Sequence, residues 1–271
     1  MKMKNTLVKF LCMALVAISF VGCLSSTEGS IAGGSRGQLL LVSEEALNQS
    51  AEVSYAQVLA EAKAAGKLNT NAAVTARVRT ISNRLIAQTK AFRPDALNWN
   101  WEVNVITDDT VNAWCMPGGK IVVYTGIINA LNLTDGELAA VIGHEISHAL
   151  REHSREQASQ EVLRQLGVSA LAELAGLSDG GTVLVDVITQ CTFSLPHSRS
   201  QETEADTYGT ELMARAGYDP YEAVNVWKKM SALSSRESPE ILSTHPSNSS
   251  RINNLTSVAQ KVYPLYEAAK K

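Results

Sequence analysis

The chain has 271 residues, of which 45% are apolar, with 24 basic and 27 acidic side chains. Ordinary numbers of proline (7) and glycine (17) exclude a collagen-like or wholly disordered chain. The slightly acidic balance argues against nucleic acid as a partner. Four cysteines are too few for a disulfide scaffold, so a globular protein with enough residues for one large domain remains.

The first 22 residues are typical of an export signal. Lysines begin the chain, and residues 7–21 are almost entirely apolar. An apolar stretch of this length suits a signal core, whereas a membrane span needs roughly 20 residues. Gly22 directly precedes Cys23, which resembles a bacterial lipobox in which the cysteine is acylated and becomes the first residue of the mature chain. The alternative is an uncut or conventionally cut signal with an incidental cysteine.

Residues 23–37 are rich in serine and glycine, a composition typical of a flexible tether. Leu24 after the cysteine resembles the sorting pattern of outer-membrane lipoproteins. We therefore expect a lipoprotein signal at 1–22, a tether at 23–37 and a single domain at 38–271. This organisation predicts a protein on the periplasmic side of the bacterial outer membrane, attached to the membrane only by its lipid anchor at Cys23.

The body of the chain predicts a mostly helical α+β domain with one small sheet. Helical spacing of apolar residues covers 43–66 and 70–91. Alternating apolar and polar side chains predict a strand over 99–106, and a second strand region over 113–124 is interrupted by a Pro-Gly-Gly turn. Further helices are expected over 125–132, 135–153, 155–176, 201–216, 219–233 and 248–262. Thr134 is expected to cap the helix that follows it, because acidic residues occupy the first turn.

The central predicted helix carries the sequence His-Glu-Ile-Ser-His over residues 144–148. His144 and His148 are four residues apart and share one helix face, so both imidazoles can reach one metal ion. Glu145 lies on the flank of that face, where it can act on water without binding the metal. The alternative is a surface helix with two unrelated histidines, which the apolar residues before the motif disfavour.

A catalytic zinc site needs three protein ligands and an open position. The third candidate is Glu202, which begins a later predicted helix. Asp206 follows four residues later on the same face and can accept a hydrogen bond from the outer N–H of a ligand histidine, which fixes its tautomer. Glu204 lies about 200° round that helix and is expected to face solvent.

Two cysteines and two histidines of the predicted domain lie outside the candidate ligand set. Cys115 and Cys191 are expected either to form a disulfide in an oxidising compartment or to be two separately buried thiols. His153 lies five residues beyond the motif, a poor position for a ligand, and His197 stands beside a proline. Both histidines are expected to be structural.

Several segments together resemble the HtpX/CAAX-prenyl-protease family of zinc metallopeptidases, most closely its soluble, lipid-anchored bacterial branch. They are the His144–His148 motif, residues 198–206, the predicted strand 112–121 and His245-Pro246 followed by Arg251-Ile252. The resemblance spans about residues 68–255. It implies a gluzincin fold, one Zn²⁺ per chain held by the two motif histidines and Glu202, and endopeptidase activity in the cell envelope.

Individual residues at the expected site can be given chemical roles. Glu145 is expected to be the general base for a zinc-activated water. His245 is expected to donate a hydrogen bond to the oxyanion; the resemblance implies that it can also approach the zinc and close the site, and a structural loop histidine is the alternative. Asn112, Ala113 and Trp114 are expected to form an exposed sheet edge that holds substrate as an added strand.

We consider two functions for such a site. The first is an endopeptidase that hydrolyses misfolded or misassembled envelope polypeptides. The second is a chaperone-like zincin that holds outer-membrane assembly clients while its proteolysis is latent. Glu145 favours the first, because a pure binder needs no base beside the metal. A non-haem iron site also uses two histidines and a carboxylate, but two ligands on one helix with an intervening glutamate favour hydrolysis.

Overall fold

A computed structural model describes residues 25–34, 36–174, 195–234, 239–245 and 250–270. Helices within these residues are α1 (Glu44–Ala64), α2 (Ala72–Ile86), α3 (Thr125–Ala130), α4 (Asp135–Leu150), α5 (His153–Leu174), α6 (Arg199–Arg215), α7 (Glu222–Ser234), α8 (Ile241–Thr244) and α9 (Arg251–Ala269). Two short 3₁₀ segments, Thr89–Ala91 and Pro94–Asn98, follow α2. The strands are β1 (Glu102–Ile106), β2 (Ala113–Met116) and β3 (Lys120–Tyr124). The predicted class, a mostly helical α+β domain with a small sheet, is confirmed.

The sheet has the strand order β1-β3-β2. Strand β1 runs parallel to β3, with Val105 opposite Val123, and β2 runs antiparallel to β3. The β2–β3 turn contains Gly119 at φ +86°, where a Cβ would lie 2.7 Å from the ring of Trp101. Both the backbone angle and this close contact require glycine. The turn therefore sets where β3 begins.

Helix α4 runs through the centre of the domain, and every residue from 137 to 150 is buried. It begins with a capping box, in which Thr134 Oγ1 accepts from the Glu137 backbone N–H and the Glu137 carboxylate accepts from the Thr134 N–H. The predicted cap is therefore confirmed. The helix ends at Leu150, earlier than predicted, because the backbone of Glu152 turns to φ +50° before α5 begins at His153.

The segment before α1 packs on the domain rather than forming a loose tether. We call residues 25–34 and 36–42 the N-terminal strap. Ser30 Oγ donates to Glu211 at 2.5 Å, and Arg36 binds both carboxylate oxygens of Glu156 at 2.5 and 2.6 Å. The prediction of a flexible tether is wrong for the described part of 23–37, because its polar groups pair with buried carboxylates from distant helices. The predicted signal, Cys23 and Cys191 lie outside the described residues.

No helix in the described part of the chain has both the length and the apolar character needed to cross a membrane.

Candidate metal centre

Four side chains from three parts of the fold converge on one point. The Nε2 atoms of His144 and His148, one turn apart on α4, are 3.0 Å from each other. Glu202, in the first turn of α6, places Oε1 3.4 Å from His148 Nε2. His245, directly after α8, places Nδ1 3.0 Å from Glu202 Oε1 and 3.3 Å from His144 Nε2. The four donor atoms lie within 4.8 Å of one another, and all four residues are buried.

These spacings fit a tetrahedral divalent cation. Donor atoms bound to zinc at about 2.0–2.1 Å in a tetrahedron are about 3.3 Å apart. The four donor–donor distances given above run from 3.0 to 3.4 Å. Imidazole nitrogens and a carboxylate oxygen are also the ligands that zinc prefers. The structure therefore brings the sequence-predicted ligands His144, His148 and Glu202 together, with His245 as a fourth donor.

The outer side of His144 is held by a carboxylate and a buried arginine. Asp206 Oδ1 lies 3.1 Å from His144 Nδ1, so the N–H of that ring is held on Nδ1 and Nε2 is left for the metal. Arg251 donates to the same Asp206 oxygen at 2.8 Å and to Glu202 Oε2 at 2.5 Å. Its guanidinium lies 3.3 Å from the ring centroid of Trp227. Reasoning from residue types missed this role of Arg251, since only the family resemblance drew attention to it.

The outer side of His148 contacts His153 instead. The Nδ1 atoms of His148 and His153 are 2.8 Å apart, and His153 Nε2 lies 3.0 Å from Glu204 Oε2. Arg151 donates to the other Glu204 oxygen at 2.9 Å. Glu204 is 4% exposed, so the prediction that it faces solvent is wrong. That side of α6 meets the corner between α4 and α5, a packing contact that sequence spacing does not reveal.

Glu145 is buried next to the donors without joining them. Its Oε1 lies 3.6 Å from His245 Nε2 and has no hydrogen-bond partner within the described residues. Burial raises the pKa of Glu145, although His245 and His144 oppose the shift. A carboxylate with a raised pKa is a better proton acceptor near neutral pH than an ordinary one. The position and the raised pKa both suit a general base.

Burial and charge set the protonation of the donors. Burial acts to raise the pKa of Glu202, but His245, His148 and His144 together hold that pKa well below its usual value, so Glu202 is ionised. Burial lowers the pKa of His148 strongly, which keeps its ring neutral. For His245 the carboxylates of Glu145 and Glu202 outweigh burial and raise the pKa. Glu202 and His148 are thus in the deprotonated forms that metal binding requires.

The family model of peptidase family M48 matches residues 72–259, a stretch that contains all four donors and Glu145. The chain belongs to peptidase family M48. Together with its metalloendopeptidase relatives, this match confirms the predicted enzyme class, a metallopeptidase, and the resemblance at the level of the family.

Three relatives of this M48 chain illustrate the range of the family. The mitochondrial metalloendopeptidase OMA1 of Arabidopsis thaliana is 40% identical over 152 residues, which cover 56% of this chain and 30% of the relative. The beta-barrel assembly-enhancing protease of Yersinia pestis is 27% identical over 87% of this chain and 52% of its own length. Metalloprotease YcaL of Escherichia coli is 25% identical over 58% of this chain and 60% of its own length. The chain spans less than half of the OMA1 proteins of Arabidopsis thaliana and two yeasts.

The predicted substrate edge of the M48 domain is buried. Strand β2 does lie at the edge of the sheet, but Asn112, Ala113 and Trp114 are only 6%, 1% and 4% exposed. The Asn112 side chain donates to Glu240 at 3.1 Å, which ties the start of β2 to the segment before α8. The expectation of an exposed edge is therefore wrong, because other parts of the fold cover this strand.

Within the described part of this M48 domain only Cys115 bears on the choice between a disulfide and two separate thiols. Cys115 is a free, buried thiol whose Sγ lies 3.7 Å from the Met116 carbonyl oxygen. Burial raises the pKa of this thiol well above its usual value, and Glu145 adds to the shift. Cys191, the predicted partner, is outside the described part of the chain. For Cys115 the alternative of a buried thiol is the one that the structure shows.

His197 is buried, as expected for a structural histidine. Its ring centroid lies 4.0 Å from that of His148, and its Nδ1 accepts from Gln157 Nε2 at 3.2 Å. The histidine therefore packs directly behind the ring of a predicted ligand.

Proposed function

We propose that this M48 chain is a zinc-dependent endopeptidase of the bacterial cell envelope, which hydrolyses peptide bonds of misfolded or misassembled envelope polypeptides. The observation that carries the proposal is the setting of Glu145. This buried carboxylate has a raised pKa and lies beside four converging donors, and its Oε1 has no hydrogen-bond partner among the described residues. A purely structural zinc site needs no base there.

His144, His148 and Glu202 would hold the zinc ion. When bound, zinc polarises the peptide carbonyl and lowers the pKa of water. Glu145 takes the proton from the attacking water and later passes it to the departing amine. Asp206 holds the His144 ring in the tautomer that leaves Nε2 free. The burial of the site keeps bulk water away and strengthens these interactions.

His245 closes the site to water and substrate in this structure. Its Nδ1 lies at the fourth donor position, which a catalytic zinc keeps open for water or substrate. Its Nε2 points towards Glu145, in the space where the attacking water would approach. We propose that His245 leaves this position when substrate binds. Its predicted role as the oxyanion donor would apply only after that movement.

A test of hydrolysis uses purified protein with casein or an unfolded porin as substrate. The wild-type protein is expected to cleave both, to lose activity with a zinc chelator and to regain it with added zinc. Glu145→Gln is expected to retain bound zinc while cleavage falls by at least about 100-fold, the usual contribution of a general base. Asp135→Asn, at the exposed start of the same helix, is the matched control. Cleavage that resists both the chelator and Glu145→Gln would overturn the proposal.

The envelope location rests on the export pattern of residues 1–22 and on Cys23. Relatives named as a beta-barrel assembly-enhancing protease and as YcaL, both bacterial, support it. In a bacterial host, mass spectrometry is expected to find acylated Cys23 in the membrane fraction, and Cys23→Ala is expected to release the protein. An unmodified Cys23 in a soluble wild-type protein would contradict the anchor.

A chaperone-like zincin with latent proteolysis is the second candidate. It is favoured by the closed site, since His144, His148, Glu202 and His245 are each at most 6% exposed. A strain that carries only Glu145→Gln separates the two functions. If that strain keeps its envelope function while peptide cleavage is lost, the holding function is the main one.

A further inference from the structure

We propose that Glu204 and His153 are positioning residues that decide which nitrogen of His148 binds the metal. This inference rests on the zinc site of the proposed function. Neither residue would touch zinc or substrate. They act through a chain of hydrogen bonds from the Glu204 carboxylate to His153 and from His153 to His148.

The contacts of this chain are short and buried. His148 Nδ1 lies 2.8 Å from His153 Nδ1, and His153 Nε2 lies 3.0 Å from Glu204 Oε2. His153 is 0% exposed, and His148 and Glu204 are each 4% exposed. Water therefore does not compete for these polar atoms.

The direction of each hydrogen bond follows from the chemistry of the groups. An ionised Glu204 can only accept, so His153 must carry its proton on Nε2. A neutral His153 then has a lone pair on Nδ1 and must accept from His148. His148 must therefore carry its proton on Nδ1, and its Nε2 lone pair is free for the metal. If His153 held its proton on Nδ1 instead, His148 would be protonated on Nε2 and could not bind.

The carboxylate itself is fixed by two arginines from different parts of the chain. Arg151, at the end of α4, donates to Glu204 Oε1 at 2.9 Å. Arg36, in the N-terminal strap, places Nε 3.3 Å from Glu204 Oε2. Both carboxylate oxygens thus face arginine nitrogens, which favour the ionised form, although burial raises the pKa of Glu204. The strap thus contributes to the outer side of the metal site.

Helix α6 then contributes three carboxylates to the site and its surroundings. It supplies the ligand Glu202 and both orienting carboxylates, which are Asp206 for His144 and Glu204 for His148. Asp206 acts on its histidine directly, whereas Glu204 acts through the intervening imidazole of His153. An ordinary structural ion pair between Glu204 and Arg151 would need no such alignment with His153.

The test compares two replacements of His153. His153→Phe keeps a ring but removes the acceptor for His148 Nδ1, and zinc affinity is expected to fall by about 10- to 100-fold. His153→Gln restores a carbonyl acceptor and is expected to recover part of that loss. Zinc alone is the probe, and its affinity is measured by competition with a chromophoric chelator. Thermal unfolding of the metal-free proteins is recorded separately.

Two buried glutamates provide matched controls. Glu156→Gln removes the other carboxylate that binds Arg36, and Glu211→Gln removes a carboxylate on α6 that binds the strap. Neither makes a hydrogen bond to His153 in the described structure. Both variants are expected to lower stability and to leave zinc affinity within about twofold, because the ring of His148 keeps its partner.

A spectroscopic measurement on the wild-type protein tests the inference without any variant. In the zinc-loaded protein, nitrogen-15 NMR is expected to show His148 protonated on Nδ1 and His153 protonated on Nε2. The opposite tautomer of His153, or equal zinc affinity for His153→Phe and the controls, would overturn the inference alone. A wild-type protein that binds no zinc would overturn the proposed function and this inference with it.

Discussion

Gly209 of α6 packs directly against the backbone of His144 on α4. A Cβ at Gly209 would lie 2.8 Å from the His144 backbone nitrogen and 2.9 Å from its Cα. These contacts are with main-chain atoms, which cannot rotate away as a side chain can. The two helices therefore approach at this point more closely than any other residue would allow, and the approach brings Glu202 to the histidine face of α4.

Gly209→Ala is therefore expected to push α6 away from α4. Overpacking of this kind costs about 1–3 kcal/mol of unfolding free energy. The better helix propensity of alanine offsets only about 1 kcal/mol of that cost. Zinc affinity is expected to fall in parallel, because Glu202 moves with α6. Urea unfolding of the metal-free protein and chelator competition measure the two effects.

Gly143→Ala is the graded control for this variant. A Cβ at Gly143 would lie 3.1 Å from the Gly209 carbonyl oxygen, a contact that a small shift relieves. Its loss of stability is expected to be smaller than that of Gly209→Ala. Equal stability and zinc affinity in Gly209→Ala and wild type would show that the helix crossing does not set the site.

The two pairs that lie within single helices could be predicted from sequence because their geometry is local, whereas the meeting of the two helices at one site is expected only from residue type and the family resemblance. His144 and His148 share a face whatever the rest of the fold does, and the spacing of Glu202 and Asp206 obeys the same rule. The outer partners of His148 could not be predicted in this way. Their positions depend on the turn at Glu152, which has φ +50° without a glycine or proline to signal it.

Long-range pairing explains the remaining differences between the predicted and the observed exposure of side chains. Glu204 is buried where α6 meets the corner between α4 and α5, and Arg36, far away in sequence, pairs with it; no periodic pattern encodes these contacts. Likewise, the composition of the strap is that of a flexible linker, yet Ser30 binds the buried Glu211. The sheet edge at Ala113 is covered by packing that the strand pattern does not specify. Local rules thus predict elements and ligands, whereas tertiary packing decides exposure.

Arg251→Lys is expected to weaken the metal site although the charge is kept. The arginine binds Glu202 and Asp206 with different nitrogens, and its guanidinium carbon lies over the ring of Trp227 at 3.3 Å from the centroid. A lysine ammonium is a point charge and cannot reproduce this fork and stacking. Zinc affinity is expected to fall about 10-fold, as for other outer-partner changes, as measured by chelator competition. Arg215→Lys, which changes a partly exposed arginine paired with the buried Glu211, is the control and should bind zinc normally.

His245→Ala distinguishes the closing role of this histidine from the oxyanion role. The change removes the fourth donor, so zinc affinity is expected to fall. It also opens the position beside Glu145, so the rate of casein cleavage with saturating zinc is expected to rise. Ser243→Ala, an exposed change on α8, should alter neither value. A lower kcat at full zinc occupancy would favour the oxyanion role instead.

Acid is expected to destabilise the metal-free protein through its buried neutral histidines. Burial holds the pKa of His148, His153 and His197 well below the ordinary value of about 6.5. The unfolded chain therefore takes up protons below pH 6.5 that the folded chain does not. The contribution of these histidines to the free energy of unfolding is therefore complete above that pH. It is lost as the pH falls, by up to about 1.4 kcal/mol per pH unit for each such histidine.

His197→Phe isolates one of these contributions, because a ring still packs on His148 but no longer titrates. The free energy of unfolding is measured in urea at pH 7.5, 6.5 and 5.5 for wild type and for His197→Phe. Glu145 and His245 contribute to the pH dependence of both proteins, so their opposing contributions cancel in the difference. The wild-type protein is expected to lose more stability on acidification than the variant. Parallel pH profiles would show that His197 is protonated equally in both states.

Removal of the N-terminal strap is expected to destabilise the domain if the strap is packed, and to leave its stability unchanged if the segment is a flexible tether. A protein that begins at residue 38 loses the hydrogen bonds of Ser30 to Glu211 and of Arg36 to Glu156. Buried acceptors left without partners cost about 1–3 kcal/mol each. The shortened protein is therefore expected to unfold at a lower urea concentration than one that begins at residue 24. Arg36→Gln in the longer protein should fall between the two, whereas equal midpoints for all three would restore the flexible tether.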